Sequence, residues 1–195
     1  MQFPVQIAFK ILALAPQMYV RDATGQSIGY VRQKLMAFKE AVTVFADETQ
    51  VRPIYTINAD RVIDFTANYH FADAAGRPLG HLRREGMRSL WRAHYVISVG
   101  DRQIFEVNEE SALVRFLDGL VGEIPGLNLL TGLFLNPTYI VSRVGSGEET
   151  LRMVKRPSLL ETHFAISQSG PISPEEQASA LLGLMMIILL ERSRG

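Results

Sequence analysis

Residues Ala180 to Leu190 contain no polar side chain. They sit inside a longer stretch, Pro174 to Arg194, that reads as one helix. A surface helix carries a single apolar stripe, so a helix apolar on every face has to be surrounded. A bilayer would demand about 20 apolar residues, and this run is shorter. Protein, not lipid, is the expected surround. The rest of the chain reads mostly as strands, and a sheet wrapped round the helix is the simplest container.

The start of the helix is marked. Ser173 is placed to cap, Pro174 takes the first position and Glu176 completes a Ser-x-x-Glu capping box. Glu175 and Glu176 at the beginning, with Arg192 and Arg194 at the end, suit the helix dipole. Such a helix is roughly 31 Å long at 1.5 Å per residue. That length threads a barrel of ordinary strands, and closure of the sheet removes the exposed edges that make β chains aggregate.

The strands follow a threefold pattern. Tyr19–Met36 and His70–Met87 match without gaps at a spacing of 51 residues, with identities at Asp22/Asp73, Ala23/Ala74, Gly25/Gly76, Gly29/Gly80, Arg32/Arg83 and Met36/Met87. Asp-x-x-Gly between two apolar runs predicts a hairpin turn, because Asp bonds its own backbone and Gly supplies positive φ. The flanking alternation predicts strands with one buried face, with Arg32 and Arg83 facing outward from equivalent strands. A weaker third copy has its hairpin at Tyr139–Gly145 and its return strand at Leu151–Arg156. His163–Ile166 then echoes His94–Ile97. Between the second and third copies, Asn108–Val121 has helical spacing, with Asn108 as its N-cap. Gly122–Pro137 reads as an irregular loop covering part of the core. Residues 1–195 are expected to form one domain.

Composition narrows the function classes. The apolar fraction of 47% supports a sizeable core, and 20 basic residues balance 20 acidic ones. General nucleic-acid binding needs a basic excess, so no nucleic-acid partner is expected. There is no cysteine, which excludes disulfides and thiolate metal sites. Met1–Gln17 lacks a basic n-region and is interrupted by Lys10, so it reads as a strand, not a secretion signal. With no transmembrane span, the expected location is cytoplasmic, including the periphery of a membrane.

At Val20–Gly25 and Val31–Phe45 the chain resembles the opening of the LURP-one-related proteins, which belong with the tubby C-terminal domain and the phospholipid scramblases. The similarity spans roughly residues 3 to 193. It implies a closed, mainly β, tubby C-terminal-like barrel of about twelve antiparallel strands around a central hydrophobic C-terminal α-helix. Gly76–Ser98 aligns with a tubby stretch in which a dense Lys/Arg run holds phosphoinositide headgroups. Here the turn reads Glu85 to Ser89 and only Arg88 keeps the charge. Scramblases carry a calcium-binding segment before the last helix. Here that segment, Gln168–Ser173, has no carboxylate.

The strongest polar feature is Arg77–Arg92. Arg83, Arg84, Arg88 and Arg92, with Trp91, are the candidates for contact with anionic lipid headgroups, each basic group near an acidic surface adding about 1 kcal/mol. The competing reading is a solvated outer sheet face whose Arg stems cover apolar surface. Ile124–Leu135 reads as a lid over one end of the barrel, against a membrane-insertion or partner loop. The four histidines lack metal-ligand spacing, and no P-loop, Rossmann glycine fingerprint or nucleophile elbow is present. No catalytic residue, cofactor or metal is therefore assigned. A helix that fills the lumen leaves the outer surface and the barrel mouths for function. The expectation is a non-enzymatic binding module for an anionic phospholipid surface or a protein partner. The alternative, scramblase-like activity, requires the helix to leave the barrel.

Overall fold

A computed structural model describes residues 1–10, 17–32, 41–60, 67–85, 94–110, 137–156 and 161–192. Twelve strands and one helix lie among them. The strands are β1 (Val5–Lys10), β2 (Gln17–Arg21), β3 (Ser27–Arg32), β4 (Ala41–Phe45), β5 (Pro53–Ala59) and β6 (Asn68–Asp73). They continue as β7 (Pro78–Glu85), β8 (His94–Val99), β9 (Arg102–Glu110), β10 (Thr138–Arg143), β11 (Glu149–Arg156) and β12 (Glu161–Gln168), and the helix is α1 (Pro174–Arg192). Every strand pairs antiparallel with its sequence neighbours, and β1 pairs with β12 to close the barrel.

Alternation sets the two faces of the wall. In β1, Val5, Ile7 and Phe9 are buried while Gln6 and Lys10 are exposed. The same rule places Val20, Leu82, Ile97, Val107, Val141 and Met153 inside. The helix fills that interior, and Ser179 through Leu190 are all buried. Its mixture of faces leaves no polar side to turn outward, as the sequence predicted.

The repeat has a structural counterpart. Thr24 N–H and Gln26 N–H donate to Asp22 Oδ1, and Gly25 N–H donates to the Asp22 carbonyl. Ala75 N–H, Arg77 N–H and Gly76 N–H use Asp73 in the same way. Gly25 and Gly76 hold φ of 83° and 78°. Each hairpin carries a bulge at the equivalent place, between Val20 and Arg21, Phe71 and Ala72, and Val141 and Ser142. In the third copy Arg143 stands where the other two have Asp. The turn is longer there, closed by Gly147 N–H donating to the Arg143 carbonyl at 2.9 Å.

The capping box forms as expected. Glu176 N–H donates to Ser173 Oγ at 3.3 Å, and Ser173 N–H donates to Glu176 Oε2 at 2.8 Å. One local expectation fails. Asn108, Glu109 and Glu110 do not start a helix: they extend β9 and pair with Ile140, Tyr139 and Thr138 of β10. Pairing with β10 satisfies their backbone groups, and that tertiary gain outweighs local capping preference. Residues 111–121 and nearly all of the Gly122–Pro137 loop lie outside the described residues.

Candidate functional site

The basic stretch divides across the wall. Arg83 is exposed on the outer face of β7, and Arg32 is likewise exposed on β3. Arg84 follows Arg83 in an extended strand and so points the other way, sharing the lumen-side face of Leu82. In register Arg84 lies across from Tyr95, whereas Arg83 lies across from Asn68 and Val96. Arg88, Trp91 and Arg92 belong to the connection between β7 and β8, outside the described residues.

The neighbourhood of Arg83 is mixed. Val96 faces outward yet is only 3% exposed. Register sets it between Arg83 and Glu106, whose long stems can shelter a valine. His70 and His81 face each other across β6 and β7 with ring centroids 5.6 Å apart. Burial, helped by the neighbouring His70, lowers the pKa of His81. His94 lies 3.8 Å from Glu85 and 2.6 Å from Asn108 Oδ1. Among the described residues, the outer surface here places the exposed Arg83 guanidinium near the imidazoles of His70, His81 and His94.

The helix is fastened at both ends. At its start, Arg143 reaches Glu176 with both terminal nitrogens, at 3.0 and 3.1 Å, and the Pro171 carbonyl at 2.9 Å. The guanidinium holds the Glu176 carboxyl down to about 2, with the Ser173 N–H assisting. At its end, Arg192 donates to Thr162 Oγ1 at 2.6 Å and its guanidinium lies 4.2 Å from the Phe9 ring centroid. Burial lowers its pKa. Tyr139 donates to Glu191. In its second turn, Ser179 Oγ donates to the Leu79 carbonyl at 3.1 Å. The sequence held a signal for the first of these ties, since Arg143 breaks the Asp22/Asp73 pattern of the repeat.

Two of the concavities among the described residues flank the wall. The larger, about 510 Å³, opens at the mouth where α1 begins and reaches Val44, Leu182 and Met185. The smaller, about 320 Å³, lies outside over Ala8, between Lys10, Arg21, Glu48, Glu161 and His163. Neither was foreseen from sequence. The first arises because α1 lies against β6, β7 and β8, an offset that no linear pattern displays.

Among the described residues, no group of three or more His, Cys, Asp or Glu side chains could hold a metal ion. No helix among them is long and apolar enough to cross a membrane.

No curated protein matches this chain in sequence. Among solved structures, an X-ray structure of a protein from Arabidopsis thaliana is similar in fold. It has a TM-score of 0.50 at 12% identity, covering 95% of this chain and 90% of that one. The family model described as LURP-one-related matches residues 27–170, which run from the start of β3 to just past β12. A closed twelve-stranded barrel, a caged terminal helix and that match together establish that the chain belongs to the LURP-one-related family.

Proposed function

We propose that this protein is a non-enzymatic binding module that works from its outer surface, and that its ligand is an anionic phospholipid surface. The observation that supports this reading is the state of the helix. Ala180 to Leu190 are each no more than 9% exposed, and ties at both helix ends hold them inside. A plugged barrel has its outer wall and mouths left for recognition. Arg83 supplies an exposed guanidinium on that outer face, and Arg88 and Arg92, with Trp91, complete the candidate set along the chain, whereas Arg84 shares the lumen-side face of Leu82. Basic groups near an anionic leaflet add about 1 kcal/mol each, so a handful suffices for reversible attachment.

Liposome flotation tests this directly. Binding is expected to vesicles containing phosphatidylserine and not to phosphatidylcholine alone. It should weaken at least about tenfold in an Arg83→Ala/Arg88→Ala/Arg92→Ala variant, and it should fall with added salt. Absence of binding to either vesicle would redirect the search to a protein partner. Dye-reported lipid flip-flop would instead restore the scramblase-like alternative, which requires the helix to leave its cage.

A further inference from the structure

The outer wall carries a pair of rings that recognition of a lipid surface does not use. His70 of β6 and His81 of β7 are direct register partners. Each alternates with buried neighbours, Tyr69 and Phe71 on one strand and Gly80 and Leu82 on the other, so both face outward. Their ring centroids are 5.6 Å apart and their planes are tilted by 43°. His70 is exposed and His81 half-buried, so the pair is open to solvent. In register the row runs from Asn58 through His70 and His81 to Ser98, with no carboxylate or guanidinium in it.

The first copy of the repeat supplies a comparison. The positions equivalent to His70 and His81 are Tyr19 and Tyr30, which are also register partners, with ring centroids 5.0 Å apart. The same hairpin geometry therefore brings two rings together in both copies. The tyrosines make an edge-to-face contact, and Tyr30 is shut away at 3% exposure. The histidines place imidazole nitrogens at the surface instead. Ring packing accounts for the first pair, but it does not call for a nitrogen donor in each ring of the second.

We propose that His70 and His81 together chelate a divalent ion of the Zn²⁺ type, one ring nitrogen from each, with water in the remaining positions. A zinc ion bound about 2.0–2.1 Å from a ring nitrogen lies about 3.2 Å from that ring's centroid. Two such arms at a tetrahedral angle put the centroids about 5.2 Å apart, whereas a right angle would need about 4.5 Å. The observed 5.6 Å is close to the tetrahedral value, and small ring rotations close the gap without moving β6 or β7. Imidazole suits Zn²⁺, whereas Mg²⁺ and Ca²⁺ take oxygen ligands. Besides His70, the charges felt at His81 are those of Asp101, Arg83 and Asp60. Two carboxylates against one guanidinium favour a cation. Two protein ligands are fewer than the three or four of catalytic and structural zinc sites, so the ion is exchangeable and does not hold the fold. No spacing in the sequence announces the pair, because the two ligands lie on different strands and only register joins them.

Isothermal titration calorimetry of the tag-free full chain with ZnCl₂ tests the proposal, with MgCl₂ as the hard-ion control. One Zn²⁺ per chain is expected, and no binding of Mg²⁺. The second imidazole is delivered from the same surface at high effective concentration, so His70→Gln and His81→Gln should each weaken Zn²⁺ binding at least about tenfold. A smaller loss in either variant would mean an adventitious ion on a lone histidine and would overturn the proposal. His70→Tyr/His81→Tyr rebuilds the ring pair of the first copy, so it should keep its melting temperature and lose the site. Location is read in the natural chain by nitrogen-15 NMR of labelled histidine rings. Zn²⁺ should move the His70 and His81 signals and leave those of His94 and His163 in place. Absence of Zn²⁺ binding, equal binding of Mg²⁺, stationary His70 and His81 rings, or undiminished binding by a folded His70→Tyr/His81→Tyr chain would each overturn the proposal. No arm contains lipid, so failure of the vesicle experiment and failure of this one are separable.

Discussion

The wall formed by β6–β8 and the wall formed by β2–β4 share the same repeat pattern, yet they meet the helix differently. At β6–β8 the contact is intimate. Gly80 takes a φ of 152°, and a Cβ there would collide with the Ser98 carbonyl oxygen. Gly183 brings α1 so near that a Cβ on it would lie 2.6 Å from Ile97 Cδ1. Ser179 adds a hydrogen bond to the Leu79 carbonyl. At β2–β4 the helix stands off, a cleft intervenes, and among the described residues β3 and β4 share one register pair. Gly29 holds the repeat position of Gly80, but its φ is not positive and the nearest atom to a Cβ would be Val44 Cγ1 at 3.3 Å. The lesson is that a repeat conserves the strand path more strictly than the packing. One copy became the bed of the helix, and another remained loose enough to border a cleft.

Gly80→Ala should break this arrangement most severely. It combines a backbone conformation that suits glycine alone with a clash against backbone that cannot rotate away. Destabilisation above about 3 kcal/mol is expected in urea unfolding, or failure to accumulate folded protein. Gly183→Ala comes next. Alanine improves helix propensity by about 1 kcal/mol, whereas overpacking a core costs about 1–3 kcal/mol. Ile97 is wholly buried and has little room to retreat, so a net loss of about 1–2 kcal/mol is expected in the same assay. A stabilised Gly183→Ala chain would mean that the helix is not pressed against β8.

Much of this contrast lay beyond the reach of the sequence, for identifiable reasons. Asp22 and Asp73 announced their turns because the bonds they make are local, spanning two to four residues. The cap at Ser173 was legible for the same reason. Burial of Ala180–Leu190 followed from polarity alone. Asn108–Glu110 misled because their strand identity depends on partners in β10, some thirty residues away. Arg83 and Arg84 look like one patch in print but alternate across a strand, and only register fixes which of them faces out. The offset of α1 depends on Gly80 and Gly183 acting together from distant places. Neither glycine differs in print from Gly29.

The tie at the start of the helix offers a pH-dependent test. The Glu176 carboxyl is lowered from 4.5 to about 2 in the folded protein, first by the Arg143 hydrogen bond. A depressed folded value means that the pair stabilises above pH 4.5 and that this contribution fades as pH falls from there towards 2. Glu176→Gln should cost about 1 kcal/mol at neutral pH, a figure reduced for partial solvent screening. It should also flatten the acid limb of the stability profile. If the variant lost stability with acid as steeply as the natural chain, Glu176 would not be the group responsible for the acid limb.

The finest test is Gly29→Ala, the counterpart of the most damaging change at the other wall. Removing glycine restricts the unfolded chain and favours folding by about 0.4–1 kcal/mol where the native backbone accepts a side chain. The φ at Gly29 is acceptable. The cost is a contact of 3.3 Å with Val44 Cγ1, which eases if either partner moves by a few tenths of an ångström. Among the described residues one register pair joins β3 and β4, so few ladder bonds there oppose a shift of that size. The two effects nearly cancel, and urea midpoints should place Gly29→Ala within about 0.5 kcal/mol of the natural chain. A loss close to that of Gly80→Ala would show that the β3–β4 seam is as rigid as the bed of the helix.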